Sequence, residues 1–185
     1  KKLVSDVQSK HTALLPQKNA IYYRPGSSSA QYYLANEWDY ERSIIEVCQQ
    51  VGHTIILCRN REQENLYKKF KLENVCISSK PIRFIDIYNN CLLFVSSGGS
   101  MTREFALLGT PTISTYTGPG LLVEKELERS GLILKVSSFD RADWKKLFTA
   151  KINTNKNTDD YLKFVEKNNN FSSIFDRILK RCYLI

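Results

Sequence analysis

The sequence predicts an α/β protein built on a doubly wound sheet of six parallel strands. Three observations predict it. Short apolar runs recur at 19–24, 54–58, 74–78, 92–96, 111–115 and 132–136, and a helical stretch fills each interval between them. The runs are nearly continuous hydrophobics rather than alternating ones, as expected of strands covered on both faces. Strands separated by helices return parallel through right-handed crossovers, and six of them are expected in the order 3-2-1-4-5-6.

Each element has a local reason. The run NAIYYR (19–24) is stopped by Pro25, Gly26 and three serines. A helix over 37–51 places Ile44, Ile45, Val47, Cys48 and Val51 at helical spacing, with Asp39 a candidate cap near its start and Gly52 at its end. TIILC (54–58) is a buried strand, REQENLYKKFKL (61–72) an amphipathic helix and NVCIS (74–78) a strand. IRFIDIYNN (82–90) is a short helix carrying Asp86, LLFVS (92–96) a strand and SMTREFALLG (100–109) a helix. PTIST (111–115), GLLVEKELERSG (120–131) and LILKV (132–136) continue the alternation as strand, helix and strand. Beyond Val136 the strands stop: FDRADWKKLFTAKI is a helix, NTNKNT a loop, and two further helical stretches close the chain. The expected organisation is a linker or tail of a missing N-terminal half at 1–18, a Rossmann-like domain at 19–150 and closing C-terminal helices at 151–185.

Composition narrows the function classes. At 185 residues, 42% hydrophobic and 25% charged, the chain is long enough for a core without staples. No apolar run approaches the ~20 residues that cross a bilayer, and no signal peptide is visible at Lys1, where the chain starts abruptly as a fragment would. The cysteines Cys48, Cys58, Cys76, Cys91 and Cys182 are odd in number and lack CxxC spacing, and four lie in apolar runs. Buried reduced thiols in a cytoplasmic protein are expected, without a metal site. His11 and His53 are far apart, and His53 sits in a turn where a surface role is expected. The net charge of +8 favours anionic partners. Its basic residues are scattered, with no arginine-rich stripe among aromatics, so a solvated basic face is favoured over RNA binding. The terminal residues Cys182, Tyr183, Leu184 and Ile185 mimic a prenylation box, but the last turn of an amphipathic helix explains them as well.

In a doubly wound sheet the ligand crevice lies beyond the carboxyl ends of the first and fourth strands. The fourth ends in Ser96, Ser97, Gly98 and Gly99, and the first in Tyr23, Arg24, Pro25 and Gly26. Glycines let the backbone approach a ligand, and the helix starting near Ser100 aims its free N–H groups at the crevice, which makes an anion site. Ser97 and Ser100 offer hydroxyls, although Ser100 is equally a candidate helix cap, and Met101 and Thr102 offer backbone N–H groups. Glu104 and Arg103 are open to a surface reading or to facing the crevice. No GKS/T and no GxGxxG is present, which counts against a P-loop and against ordinary NAD binding.

The stretch SSGGSMTREFALLGTPTIS resembles the nucleotide-sugar loop of GT-B-type proteins, in particular UDP-N-acetylglucosamine 2-epimerases and, at greater distance, lipid-linked GlcNAc transferases. With RPGSSSAQYY (24–33) and TISTYTGPGLLVEKELERSGLI (112–133), it is more closely similar to an uncharacterised, mostly archaeal family carrying a domain of unknown function. The resemblance implies the C-terminal half of a GT-B fold, with a diphosphate held by Arg24, Ser97, Gly98, Gly99, Ser100 and Met101. It implies a ribose-binding role for Glu104 and sugar contacts from Tyr116, Thr117 and Gly118; by position alone, the base falls near Ser79 and Phe84. The epimerases' histidine-arginine pair is here Tyr23 and Arg24, their acidic pair is Arg103 and Glu104, and TYTGPG replaces their acid-rich sugar loop. These departures count against epimerase chemistry and favour transfer or binding.

The expected function is therefore a UDP-sugar-binding domain of a glycosyltransferase, with no cofactor, no metal and an unidentified catalytic base. The expected partners are UDP or a UDP-sugar, the missing N-terminal half, and a peripheral membrane surface or lipid-linked acceptor. The alternatives are an epimerase-like half, a non-catalytic nucleotide-binding module, and a basic RNA-associated domain.

Overall fold

The computed structural model describes residues 18–26, 37–70, 72–78, 80–137 and 140–154. Six strands form one parallel sheet: β1 (Ala20–Arg24), β2 (Thr54–Leu57), β3 (Val75–Ser78), β4 (Cys91–Ser96), β5 (Thr112–Ser114) and β6 (Ile133–Lys135). Their order is β3-β2-β1-β4-β5-β6, as the sequence predicts. The intervening helices are α1 (Glu37–Val51), α2 (Arg61–Tyr67), α3 (Phe84–Asn90), α4 (Ser100–Leu107) and α5 (Leu122–Arg129). A single 3-10 turn (Arg141–Asp143) then leads into α6 (Trp144–Asn153).

Alternation along the strands builds two core layers, one on each face. Ile21, Tyr23, Ile56, Leu93 and Val95 face Ile44, Ile45 and Cys48 of α1 and Trp144 and Phe148 of α6. Ala20, Tyr22, Ile55 and Phe94 face the other way, toward Ile87 of α3 and Phe105 of α4. A smaller cluster of Ala106, Leu127, Leu132 and Ile133 seats α4 and α5 against β6. Both faces of β1 and β4 are thus buried, which explains their unbroken apolar sequence.

Several expectations need correction. The helix expected at 61–72 stops at Tyr67. Lys69 and Phe70 donate to the carbonyls three residues back, a tighter turn that brings the Phe70 ring to 6.1 Å from that of Tyr67. Cys76 is exposed, because β3 is the edge strand, while Cys48, Cys58 and Cys91 are buried. Asp39 lies inside α1 rather than capping it; its carbonyl accepts a hydrogen bond from Ser43 Oγ at 2.7 Å. His53, by contrast, lies in a surface turn as expected, with Nδ1 3.0 Å from Asn74 Oδ1. The tail at 1–17, the final helical stretches, Cys182 and Ser79 lie outside the described residues.

Candidate functional site

β1 and β4 are neighbours, yet β1 leads outward to β2 and β4 leads the opposite way to β5. The crevice of a doubly wound sheet opens at such a point. Arg24 pairs with Ser96, and the Ser97 N–H donates to the Arg24 carbonyl at 3.1 Å, which carries the two strands to the crevice in register.

Beyond Ser97 the backbone turns through Gly98 (φ 88°) and Gly99 (φ 104°). With ψ at −179°, Gly99 occupies a region essentially closed to other residues. The turn is locked from beneath by hydroxyls. Buried Ser96 donates its Oγ to the Gly98 carbonyl at 3.1 Å and accepts from Thr102 Oγ1 at 2.9 Å. Gly99 is the N-cap of α4, and no side chain caps this end. Ser100, a candidate cap from the sequence, is instead the first helical residue and exposed. Glycine in the cap position has no oxygen to offer, so the first N–H groups of α4 keep their donors, together with the positive end of the helix dipole.

The other loops converge on this turn. Ser97 Oγ lies 3.1 Å from Thr115 Oγ1, which ties the ends of β4 and β5 together. The Tyr116 side chain rests on the turn: a Cβ on Gly98 would sit 3.4 Å from Tyr116 Cβ and Cγ, and one on Gly118 would run into the Tyr116 hydroxyl. Thr117 is exposed beside them. Lys135, at the end of β6, donates from Nζ to the Gly118 carbonyl at 3.2 Å, with Nζ 5.9 Å from the Tyr116 ring centroid. Nothing but its charge within the apolar run LILKV marked Lys135 in the sequence.

Along α4, Met101 is half-buried against the Phe105 cluster. Glu104 lies one turn beyond Ser100 on the same exposed face. Arg103 turns toward α5, where Nη1 is 3.0 Å from Glu124 Oε1, and Glu124 Oε2 accepts from the Leu121 N–H at 3.2 Å. Phe84 opens α3 with its ring centroid 4.6 Å from that of Phe105, so one face of the ring is already covered.

Arg24 departs from the picture of a side chain folded over the glycine turn. Its guanidinium reaches sideways to β2, where Nη1 donates to the carbonyls of Leu57 at 2.8 Å and Cys58 at 3.2 Å. Arg59, just past β2, reaches back: its Nε donates to the Pro25 carbonyl at 3.0 Å. Gln63 braces the same corner, accepting from the Arg59 N–H at 2.8 Å and donating to the Gly26 carbonyl at 3.0 Å. Sequence reasoning missed Arg59, although it follows β2 much as Arg24 ends β1. Burial first and the Arg59 charge second pull the Arg24 pKa down, with Cys58 acting the other way. Burial is also the main cause that pushes the Cys58 thiol up to about 12, so it is no nucleophile. Among the described residues no cluster of His, Cys, Asp and Glu could hold a metal ion, and no helix is long and apolar enough to cross a membrane.

The fold has solved counterparts. The glycotransferase of kitacinnamycin superposes with a TM-score of 0.57 at 12% identity, covering 79% of this chain and 38% of that one. The UDP-GlcNAc 2-epimerase of Methanocaldococcus jannaschii, solved in complex with UDP-GlcNAc and UDP, gives 0.61 at 13% identity, covering 89% and 48%. At such identities the likeness is one of fold, the Rossmann-like architecture of GT-B glycosyltransferases and epimerases. In sequence, the uncharacterized protein MJ0665 of the same organism is 29% identical over 109 residues, 58% of this chain and 30% of that protein. The chain spans less than half the length of each of these relatives. A family model described as a protein of unknown function (DUF354) matches residues 4–182, nearly the whole sequence, and the chain belongs to that family.

Proposed function

We propose that this domain holds the UDP-sugar donor of a glycosyltransferase, as the C-terminal half of a GT-B-type protein whose other half completes the site. The observation that carries the reading is the uncapped N-terminus of α4, presented by two positive-φ glycines where the sheet changes direction. The N–H groups of Ser100 and Met101 face the diphosphate. With the helix dipole they stabilise the charge that develops on UDP as the sugar leaves. Glu104 accepts hydrogen bonds from the ribose diol, the loop of Tyr116, Thr117 and Gly118 borders the sugar, and the base lies toward Ser79 and Phe84. Positioning and leaving-group stabilisation are this half's contribution, and the base that activates a lipid-linked or membrane-associated acceptor comes from the other half. Transfer is favoured over epimerisation because Tyr23, which stands where the epimerases carry a histidine, is fully buried in the core. That M. jannaschii epimerase was solved with UDP-GlcNAc and UDP supports the choice of ligand.

Thermal unfolding tests the reading. UDP and UDP-GlcNAc at 100 times Kd should stabilise the fold by about 2.7 kcal/mol. Glu104→Ala should weaken UDP binding about tenfold, the loss of one charged hydrogen bond. A melting temperature unmoved by millimolar UDP would sink the proposal.

A further inference from the structure

We propose that Arg24 and Arg59 form a second anion subsite, separate from the α4 N-terminus, that takes a phosphate monoester. The pair is built by reciprocal crossing. Arg24 leaves the end of β1 and bonds the carbonyls ending β2, while Arg59 leaves β2 and bonds the carbonyl after β1. Among the described residues each anchor occupies one nitrogen, Nη1 of Arg24 and Nε of Arg59, and the rest of each planar fork has no partner there, leaving donors that suit a tetrahedral oxyanion.

The charges around the pair point the same way. Among the described residues no carboxylate forms an ion pair with either arginine. Of the two acids whose charges reach Cys58 at this corner, Glu64 is paired with Lys68 at 2.6 Å, and buried Glu41 accepts from the Tyr67 hydroxyl at 2.6 Å. The segment 27–36 that follows Gly26 contains no acidic residue. A latch between two loops needs donors but not two like charges side by side, one of them half-buried. A bound anion resolves that repulsion.

The subsite is distinct in place. The carbonyls that hold Arg24 end β2, two strand spacings from β4, roughly 10 Å. The Arg24 guanidinium turns away from the glycine turn toward these carbonyls, so a phosphate on the arginines is placed on the β2 side of the one under α4, and both open on the same edge of the sheet. On the transferase reading, from which this last step follows, the second phosphate belongs to the acceptor.

The test is a titration of the full chain with inorganic phosphate and with glycerol 3-phosphate, at constant ionic strength, with and without saturating UDP. Both anions should raise the melting temperature in either condition. Arg59→Gln should weaken them tenfold or more while leaving the UDP-induced shift unchanged. Arg24→Gln removes the β2 anchors and is expected to cost stability, so the exposed Arg59 is the deciding position. Equal phosphate affinity in the wild type and Arg59→Gln would overturn the subsite, as would complete loss of the phosphate effect under saturating UDP. If UDP has no effect but phosphate binds through Arg59, the donor reading falls and the subsite stands.

Discussion

At Gly99 a single hydrogen in place of a side chain decides whether the turn before α4 can exist. With φ at 104° and ψ at −179°, any Cβ brings backbone strain although nothing lies within 4 Å of it. Gly99→Ala should therefore cost about 1–3 kcal/mol in urea unfolding and, on the proposed donor reading, weaken UDP binding as the turn shifts. Gly118 is constrained differently, by contact rather than by its own backbone: a Cβ there meets the Tyr116 ring. Gly118→Ala should destabilise the fold, and adding Tyr116→Ala should recover much of the loss. A double-mutant cycle showing simple additivity would remove Tyr116 as the cause. The glycines were legible in the sequence, but the direction of Arg24 was not. Which neighbouring strand its guanidinium chooses depends on carbonyls 33 and 34 residues away, and no local pattern encodes that.

At the scale of elements, α4 is held by apolar and charged contacts on different sides. Phe105 lies between rings, 4.1 Å from Phe94 and 4.6 Å from Phe84, centroid to centroid. Phe105→Ala should cost about 3–5 kcal/mol, because the cavity is closed in by aromatic neighbours that cannot collapse into it. The Arg103 and Glu124 pair joins α4 to α5 with side chains 25% and 17% exposed. Solvent screens it in part, and Arg103→Ala should cost about 1 kcal/mol in the same assay. The alternation of strands and helices was legible because burial on both faces writes long apolar runs. Element ends were less so. The 61–72 stretch keeps helical spacing to its end, but α2 stops at Tyr67, where a tighter turn packs Phe70 back onto Tyr67.

For the molecule as a whole, burial separates the thiols of the described residues. Cys76, on edge strand β3, should react with a thiol reagent in the folded protein, while Cys48, Cys58 and Cys91 react only after unfolding; peptide mapping by mass spectrometry reads this directly. Burial raises the pKa values of Cys48, Cys58 and Tyr22, so the fold holds their protons more tightly than the unfolded chain does. The resulting stability is complete below the ordinary thiol value of about 8.5 and falls as pH rises toward about 12 for Cys58. The urea midpoint should drop between pH 8 and pH 10.5, and Cys58→Ala should flatten that drop. Edge position was the one property of Cys76 that its apolar neighbours in VCIS concealed. The hydroxyl chain from Thr102 through Ser96 to the Gly98 carbonyl lies at the carboxyl end of β4, one of the two middle strands of this sheet. It fixes the glycine turn before any ligand arrives, so association requires no ordering of that loop. On the proposed donor reading, related UDP-sugars should then share similar on-rates and be discriminated by how long each stays.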